Sequence, residues 1–121
     1  MPDFEVWDVV KVPFPYTNRP VQQRRPALVV ACHRAPGMPA LLWVVMITSA
    51  AHRRWPHDVE ITDLAVAGLP APSIVRPTKI ATLEADDAER AGRLPHPDRR
   101  AVAAVLSASL DEIRTSAGTV P

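Results

Sequence analysis

A mainly β fold, in which a small and strongly bent barrel is followed by one C-terminal α-helix, is what this sequence predicts, and three observations carry it. Short apolar runs rich in branched residues recur from Val6 to Thr82, with proline-containing turns between them. No helical pattern separates these runs, so the crossover connections of a parallel sheet are missing. The three-and-four spacing of an amphipathic helix shows clearly only near the end, over Asp98–Ile113. With 121 residues, 47% hydrophobic and 22% charged, the chain can bury one core, and residues 1–121 are expected to form a single domain.

The first strand is expected over Val6–Phe14, where Val6, Trp7, Val9, Val10 and Val12 lead to Pro13 and Pro15, which cannot donate to a ladder. Tyr16–Arg25 is polar, carries Asn18 and Pro20, and reads as a long loop. Pro26–Cys32 is the second apolar run. After the turn at Pro36-Gly37-Met38-Pro39, Leu41–Thr48 is apolar throughout and suits a strand buried on both faces, the central one of the barrel. Val59-Glu60-Ile61 alternates, and Ser73–Val75 and Lys79–Thr82 read as two short extended pieces divided by Pro77. Glu84–Ala91 reads as a short helix ending near Gly92. In the last helix Ala101, Val102, Val105, Leu106, Leu110 and Ile113 form a stripe expected to pack on the barrel, with Asp98 as N-cap and Ala117–Pro121 as a frayed end.

Net charge is only +1, but between Val9 and His57 there is no Asp or Glu, against Lys11, Arg19, Arg24, Arg25, Arg34, Arg53 and Arg54. Acids outnumber bases from Asp58 onward, so a positive field is expected on one part of the fold, where it suits a polyanion or simply solvates loops. The longest apolar stretch, Ala40–Ile47, is too short for a bilayer, and the N-terminus has no basic signal head, so a cytoplasmic protein is expected. A lone Cys32 cannot form an internal disulfide, and the four histidines lack metal-ligand spacing, so neither a metal nor another cofactor is expected. No glycine-rich phosphate loop, nucleophile elbow, Cys-x-x-Cys pair or internal repeat is present.

The ordered series Trp7-Asp8-Val9-Val10, Val12-Pro13-Phe14-Pro15-Tyr16-Thr17, Arg24-Arg25-Pro26-Ala27-Leu28-Val29-Val30 and Met46-Ile47-Thr48-Ser49 resembles the MazF/PemK toxins. The likeness continues through Trp55-Pro56, Val59-Glu60-Ile61, Gly68-Leu69, Ser73-Ile74-Val75-Arg76, Lys79-Ile80-Ala81-Thr82-Leu83 and Gly92-Arg93-Leu94, nearly the whole chain. The resemblance implies an SH3-like barrel and a homodimeric toxin of a type II toxin–antitoxin system. It further implies metal-independent cleavage of single-stranded RNA by 2′-hydroxyl attack, leaving a 2′,3′-cyclic phosphate and a 5′-hydroxyl. A cognate antitoxin, with an acidic or disordered tail that blocks the cationic groove, comes with that implication.

Carried over residue by residue, the family's catalytic arginine and threonine fall on Arg25 and Thr48. The chemistry of both side chains suits such a reaction, because a guanidinium grips two phosphoryl oxygens with a bidentate fork, and a hydroxyl at a strand tip donates to the same charge as it builds up. Arg19, Arg24, Ser49, His52, Arg53, Arg54 and Trp55 are candidates for holding RNA, Trp55 and Tyr16 by stacking on bases unless Trp55 serves core or dimer packing. Ser73 and Arg76 are candidates for lining the groove, the latter alternatively pairing with an acid such as Glu60. The general base is left open between His52 and His57, each of which also reads as an ordinary loop histidine.

Two departures bear on activity. Trp7 occupies a position where the family usually has glycine, which predicts a local backbone with ordinary dihedrals, and the loop after Thr17 has no glycine. These leave open a degenerate member that only binds its antitoxin or RNA. A non-enzymatic gyrase poison of the similar CcdB type is the other alternative, and Arg25 with Thr48 argues against it.

Overall fold

The structure, a computed structural model, describes residues 3–14 and 23–118. Tyr16, Arg19 and the other residues of 15–22 lie outside the described residues. The elements are β1 (Asp8–Phe14), β2 (Gln23–His33), β3 (Leu41–Ser49), β4 (Val59–Glu60), α1 (Leu64–Ala67), β5 (Ser73–Glu84), a 3₁₀ turn (Ala85–Asp87), β6 (Glu89–Arg93) and α2 (His96–Gly118). The six strands pair antiparallel in the order β4-β5-β3-β2-β1-β6 and curl into a half-barrel.

Strand β3 lies inside the sheet, and its unbroken apolar run serves two faces. Leu42, Val44 and Met46 join Phe4, Val10, Val12, Ala27 and Val29 in one buried cluster. Val45 and Ile47 join Val9, Leu28, Val75, Leu94 and Val102 in the other, under α2. Alternation in strands sends neighbouring residues to opposite faces, so a strand buried on both must be apolar at every position.

Of the apolar stripe of helix α2, Val102 and Leu106 join the cluster beneath it. The expected stripe continues to Leu110 and Ile113, but these are 54% and 63% exposed, so the second half of the helix does not pack on the half-barrel. Asp98 lies within the first turn of α2 instead of capping it. Its buried carboxylate accepts hydrogen bonds from the backbone N–H and hydroxyl of Thr62, at 2.9 and 3.2 Å, and ties the helix to the segment after β4. Ala117 and Gly118, expected to fray, complete the helix.

Two further expectations are corrected. Ser73–Val75 and Lys79–Thr82 belong to one strand, β5, because the register with β3 jumps from Met46–Arg76 to Val45–Ile80 and lets residues 77–79 bulge out around Pro77. Glu84–Ala91 is not a helix. Beyond the 3₁₀ turn, the edge of β1 takes up its backbone groups, pairing Val10 with Arg90 and Lys11 with Glu89, and ladder bonds outweigh the helical propensity of an Ala/Glu-rich segment. The short helix α1 was not expected; Asp63 caps its start by accepting from the Val66 N–H, and Gly68 ends it at φ 72°.

Trp7 contradicts the dihedral expectation: its φ is 80°, the left-handed region that favours glycine. That conformation costs a non-glycine residue roughly 1–2 kcal/mol, offset here by the surroundings. Its N–H donates to the Val29 carbonyl at 2.9 Å, its carbonyl accepts from the Leu94 N–H at 2.8 Å, and its ring packs on the cluster beneath α2. The adjacent Asp8 is buried and accepts from Arg90 and Arg93, each at 2.8 Å, which fastens β1 to β6.

Gly68 and Gly92 are interlocked. A Cβ on Gly92 would sit 2.5 Å from the Val66 carbonyl oxygen and the Ala67 carbonyl carbon, and one on Gly68 would sit 2.0 Å from the Ala91 carbonyl oxygen. Only two glycines let the end of α1 approach β6 this closely. Gly92→Ala is therefore expected to lower folding stability by about 3 kcal/mol, the upper part of the usual overpacking range. A chemical-denaturation midpoint unchanged from wild type would refute it.

Candidate functional site

The site forms where one face of the sheet turns from apolar to polar. The register pairs Ala27 with Met46 and Leu28 with Val45; continued toward the end of β3, it sets Arg25 opposite Thr48. On the other side of β3, Met46 pairs with Arg76. Cross-strand partners share a face, so Arg25, Ala27, Met46, Thr48 and Arg76 project to one side. Ala27 and Met46 close the core there, and the three polar residues continue beyond it.

Two adjoining cavities mark this polar end. A groove of about 330 Å³ lies between the start of β2, the end of β3 and the segment Leu69–Ser73, and Arg24, Arg25, Thr48, Ser49, His52 and Ser73 line it. A smaller cavity of about 40 Å³ is bounded by Arg25, Met46, Ile47, Thr48, Arg76 and Lys79. Arg25 and Thr48 border both, and each is half-buried.

The turn after β3 arranges the groove wall. Ser49 accepts the Ala51 N–H on its hydroxyl at 3.1 Å and the His52 N–H on its carbonyl at 3.1 Å. This tight return sets Nδ1 of His52 2.7 Å from Oγ1 of Thr48. Ser49 thus shapes the turn as well as lining the groove. Arg24 also donates to the backbone carbonyls of Lys11 and Asp87, at 3.2 and 3.3 Å, and the Arg25 guanidinium lies 3.4 Å from the Gln23 amide oxygen.

Arg76 pairs with Asp58, not with Glu60. Its Nε and Nη2 donate to the two Asp58 oxygens at 3.1 and 3.0 Å, and Nη2 also donates to the Arg53 carbonyl at 2.9 Å. Both side chains are buried, at 9% and 1% exposure. Burial pushes the Asp58 carboxyl up, but hydrogen bonds from Arg76 and the Trp55 N–H, with the charges of Arg76 and Arg54, outweigh it and hold its pKa below the usual carboxylate value. The Trp55 ring covers the guanidinium, with Cζ of Arg76 4.1 Å from the ring centroid.

Of the expected RNA-holding residues, the structure brings Arg24, Ser49 and His52 to the groove beside Arg25 and Thr48, and sets Arg76 in the adjoining cavity. Arg53, Arg54 and Trp55 stand on the exposed loop next to it: Arg54 is ion-paired with Glu60, and Trp55 stacks on Arg76. The positive field expected from the first half of the chain is trimmed in the same way, since Arg34 pairs with Asp3 at 3.1 Å. Lys79 was not singled out from sequence. It reaches the smaller cavity because of the β5 bulge, for which Pro77 inside a strand was the available signal. Among the described residues no group of three or more His, Cys, Asp or Glu is placed to hold a metal ion, and no helix is long and apolar enough to cross a membrane.

Comparison with known proteins follows the same lines. The family described as PemK-like, MazF-like toxin of type II toxin–antitoxin systems matches residues 5–110. No curated protein matches the chain. Among solved structures, the Mycobacterium tuberculosis toxin MazF-mt6 is similar in fold, with a TM-score of 0.59 at 23% identity, over 84% of this chain and 95% of that one.

Proposed function

Since the chain belongs to the PemK-like, MazF-like toxins of type II toxin–antitoxin systems, a match that spans residues 5–110, we propose that it is a sequence-selective endoribonuclease that cuts single-stranded RNA without a metal. The observation that carries this reading is that Arg25 of β2 and Thr48 of β3 line one groove. Attack of a ribose 2′-hydroxyl on the adjacent phosphate gathers charge on the phosphoryl oxygens, and donors held ready in a half-buried site stabilise that charge without reorganising. Arg25 supplies the bidentate cation and Thr48 the hydroxyl donor. Arg24, Ser49 and His52 hold the strand along the groove, and Arg53 extends the cationic surface beside it.

The retained left-handed backbone at Trp7 supports an active enzyme over a degenerate one, because it gives Asp8 the local geometry a glycine would give. The same reading takes a cognate antitoxin as partner, with an acidic segment that occupies the groove and excludes RNA. It also takes a homodimer, for which Leu110, Ile113, Trp43 and Ile80 offer exposed apolar surface. A monomer in light scattering at micromolar concentration would count against the dimer.

Purified protein incubated with a long single-stranded RNA in EDTA tests the activity. Cuts at a recurrent short sequence, with 2′,3′-cyclic phosphate and 5′-hydroxyl ends, are expected. RNA left intact across many sequences, while the protein binds a gyrase fragment, would favour the CcdB type of toxin instead.

A further inference from the structure

We propose, resting on the ribonuclease reading above, that His52 is the base that removes the proton of the attacking ribose 2′-hydroxyl. The groove itself narrows the choice. Among the described residues its lining includes no Asp or Glu, and arginine stays protonated in proteins, so of these lining side chains His52 is the one suited to accept a proton. The other histidines are placed elsewhere. His33 lies against Trp43 with ring centroids 4.6 Å apart, His96 begins α2, and His57 lines a separate cavity with Thr78 and residues of α2.

The contact with Thr48 sets the imidazole's tautomer. A threonine hydroxyl has one proton to donate and two lone pairs. When a phosphoryl oxygen takes that proton, Oγ1 can only accept from His52, so Nδ1 must carry the hydrogen across the 2.7 Å contact. Nε2 is then left with its lone pair free. For the neutral ring, substrate binding at Thr48 thus selects the tautomer whose Nε2 can act as the base, and the Ser49–His52 turn fixes the backbone that carries the ring. In the reaction the 2′-oxygen bonds to phosphorus as its proton passes to Nε2. The bond from phosphorus to the 5′-oxygen breaks, the departing oxygen takes a proton from water, and the imidazolium returns its proton to solvent, so no co-reactant is consumed.

The test uses full-length protein and a short RNA carrying one cut site, read as single-turnover rates against pH. His52→Asn keeps a hydrogen-bonding group near Thr48 but cannot accept a proton. It is expected to slow cleavage about a hundredfold or more and to abolish the rising acid limb of the pH–rate profile. The imidazole shares the groove with Arg24 and Arg25 of β2 and lies beside Arg53 in its own loop, with no acid among the described lining residues. His57→Asn is expected to cleave like wild type. An RNA with sulfur in place of the bridging 5′-oxygen needs no proton on its leaving group, so the His52→Asn defect should persist on it. A defect that vanishes there would make His52 the acid and overturn the proposal, as would a His52→Asn rate and pH profile equal to wild type while Arg25→Ala is impaired. Wild-type protein that cuts no RNA would overturn the ribonuclease reading itself, and this inference with it.

Discussion

Arg25→Ala is expected to slow RNA cleavage about a hundredfold to a thousandfold with little loss of folding stability. Removal of one preorganised donor to a developing oxyanion typically costs about 2.7–4 kcal/mol of transition-state stabilisation. Arg25 fits that description: it is half-buried at the start of β2, and its side chain borders both the groove and the smaller cavity behind it. Arg25→Lys separates charge from geometry, since an ammonium keeps the charge but cannot make the bidentate fork, and an intermediate rate is expected. Thr48→Ala should show a loss of the same order, while Thr48→Ser, which keeps the hydroxyl, should retain most of the activity. If both residues serve the same phosphoryl oxygens, the double variant will lose less than the product of the single losses. Single-turnover rates with saturating RNA, alongside a circular-dichroism melt for each variant, check these outcomes. An Arg25→Ala enzyme that cleaves at the wild-type rate would remove Arg25 from the chemistry.

Asp58→Ala is expected to cost about 3–5 kcal/mol of folding stability, because it strands the buried Arg76 guanidinium without its partner. For a domain of this size the melting temperature should fall by roughly 10 °C or more. The lost contacts are the two-point pairing with Arg76 and the hydrogen bond from the Trp55 N–H at 2.8 Å, so the loop that carries Arg53, Arg54 and Trp55 loses its anchor as well. RNA affinity should weaken in consequence. The pH dependence follows from the depressed carboxyl. The unfolded chain holds its proton at the ordinary aspartate value of about 3.9, so the stabilisation is fully present above that value and disappears as pH falls through the lower folded-state value. Acid unfolding of Asp58→Ala should therefore be less steep below about pH 4 than that of wild type. Equal stability of the two proteins in denaturant at neutral pH would show that Arg76 finds another partner.

Local pattern carried much of the fold. The branched, apolar run Leu41–Thr48 reads as a strand buried on both faces; β3 is that strand over Val44–Ile47, whereas Trp43 stays 43% exposed. The spacing of Val102 and Leu106 identified the helix, since residues three and four apart share a helical face. Glu84–Ala91 misled because its helix-forming composition is a weak preference, overridden once β1 offers an edge to pair with. Asp98 misled because an aspartate before a helical stripe suits a cap equally well whether or not a distant backbone N–H, here that of Thr62, comes to meet it.

Arg25 and Thr48 were legible as candidates through the ordered motifs around them, and their placement across two neighbouring strands follows from antiparallel register. The family and the strand-rich architecture are thus what the sequence determined by itself, with these two residues as its candidates for the site. Tertiary structure alone decided the partners: Arg76 turned inward to Asp58 beneath Trp55, His52 folded back on Thr48 while His57 went to the other cavity, and Lys79 was pushed into the site by a bulge. The physical reason is range. Periodicity of two or 3.6 residues records which face a side chain takes within its own element, whereas ion pairs and groove walls depend on how the turns and bulges between elements set one chain segment against another.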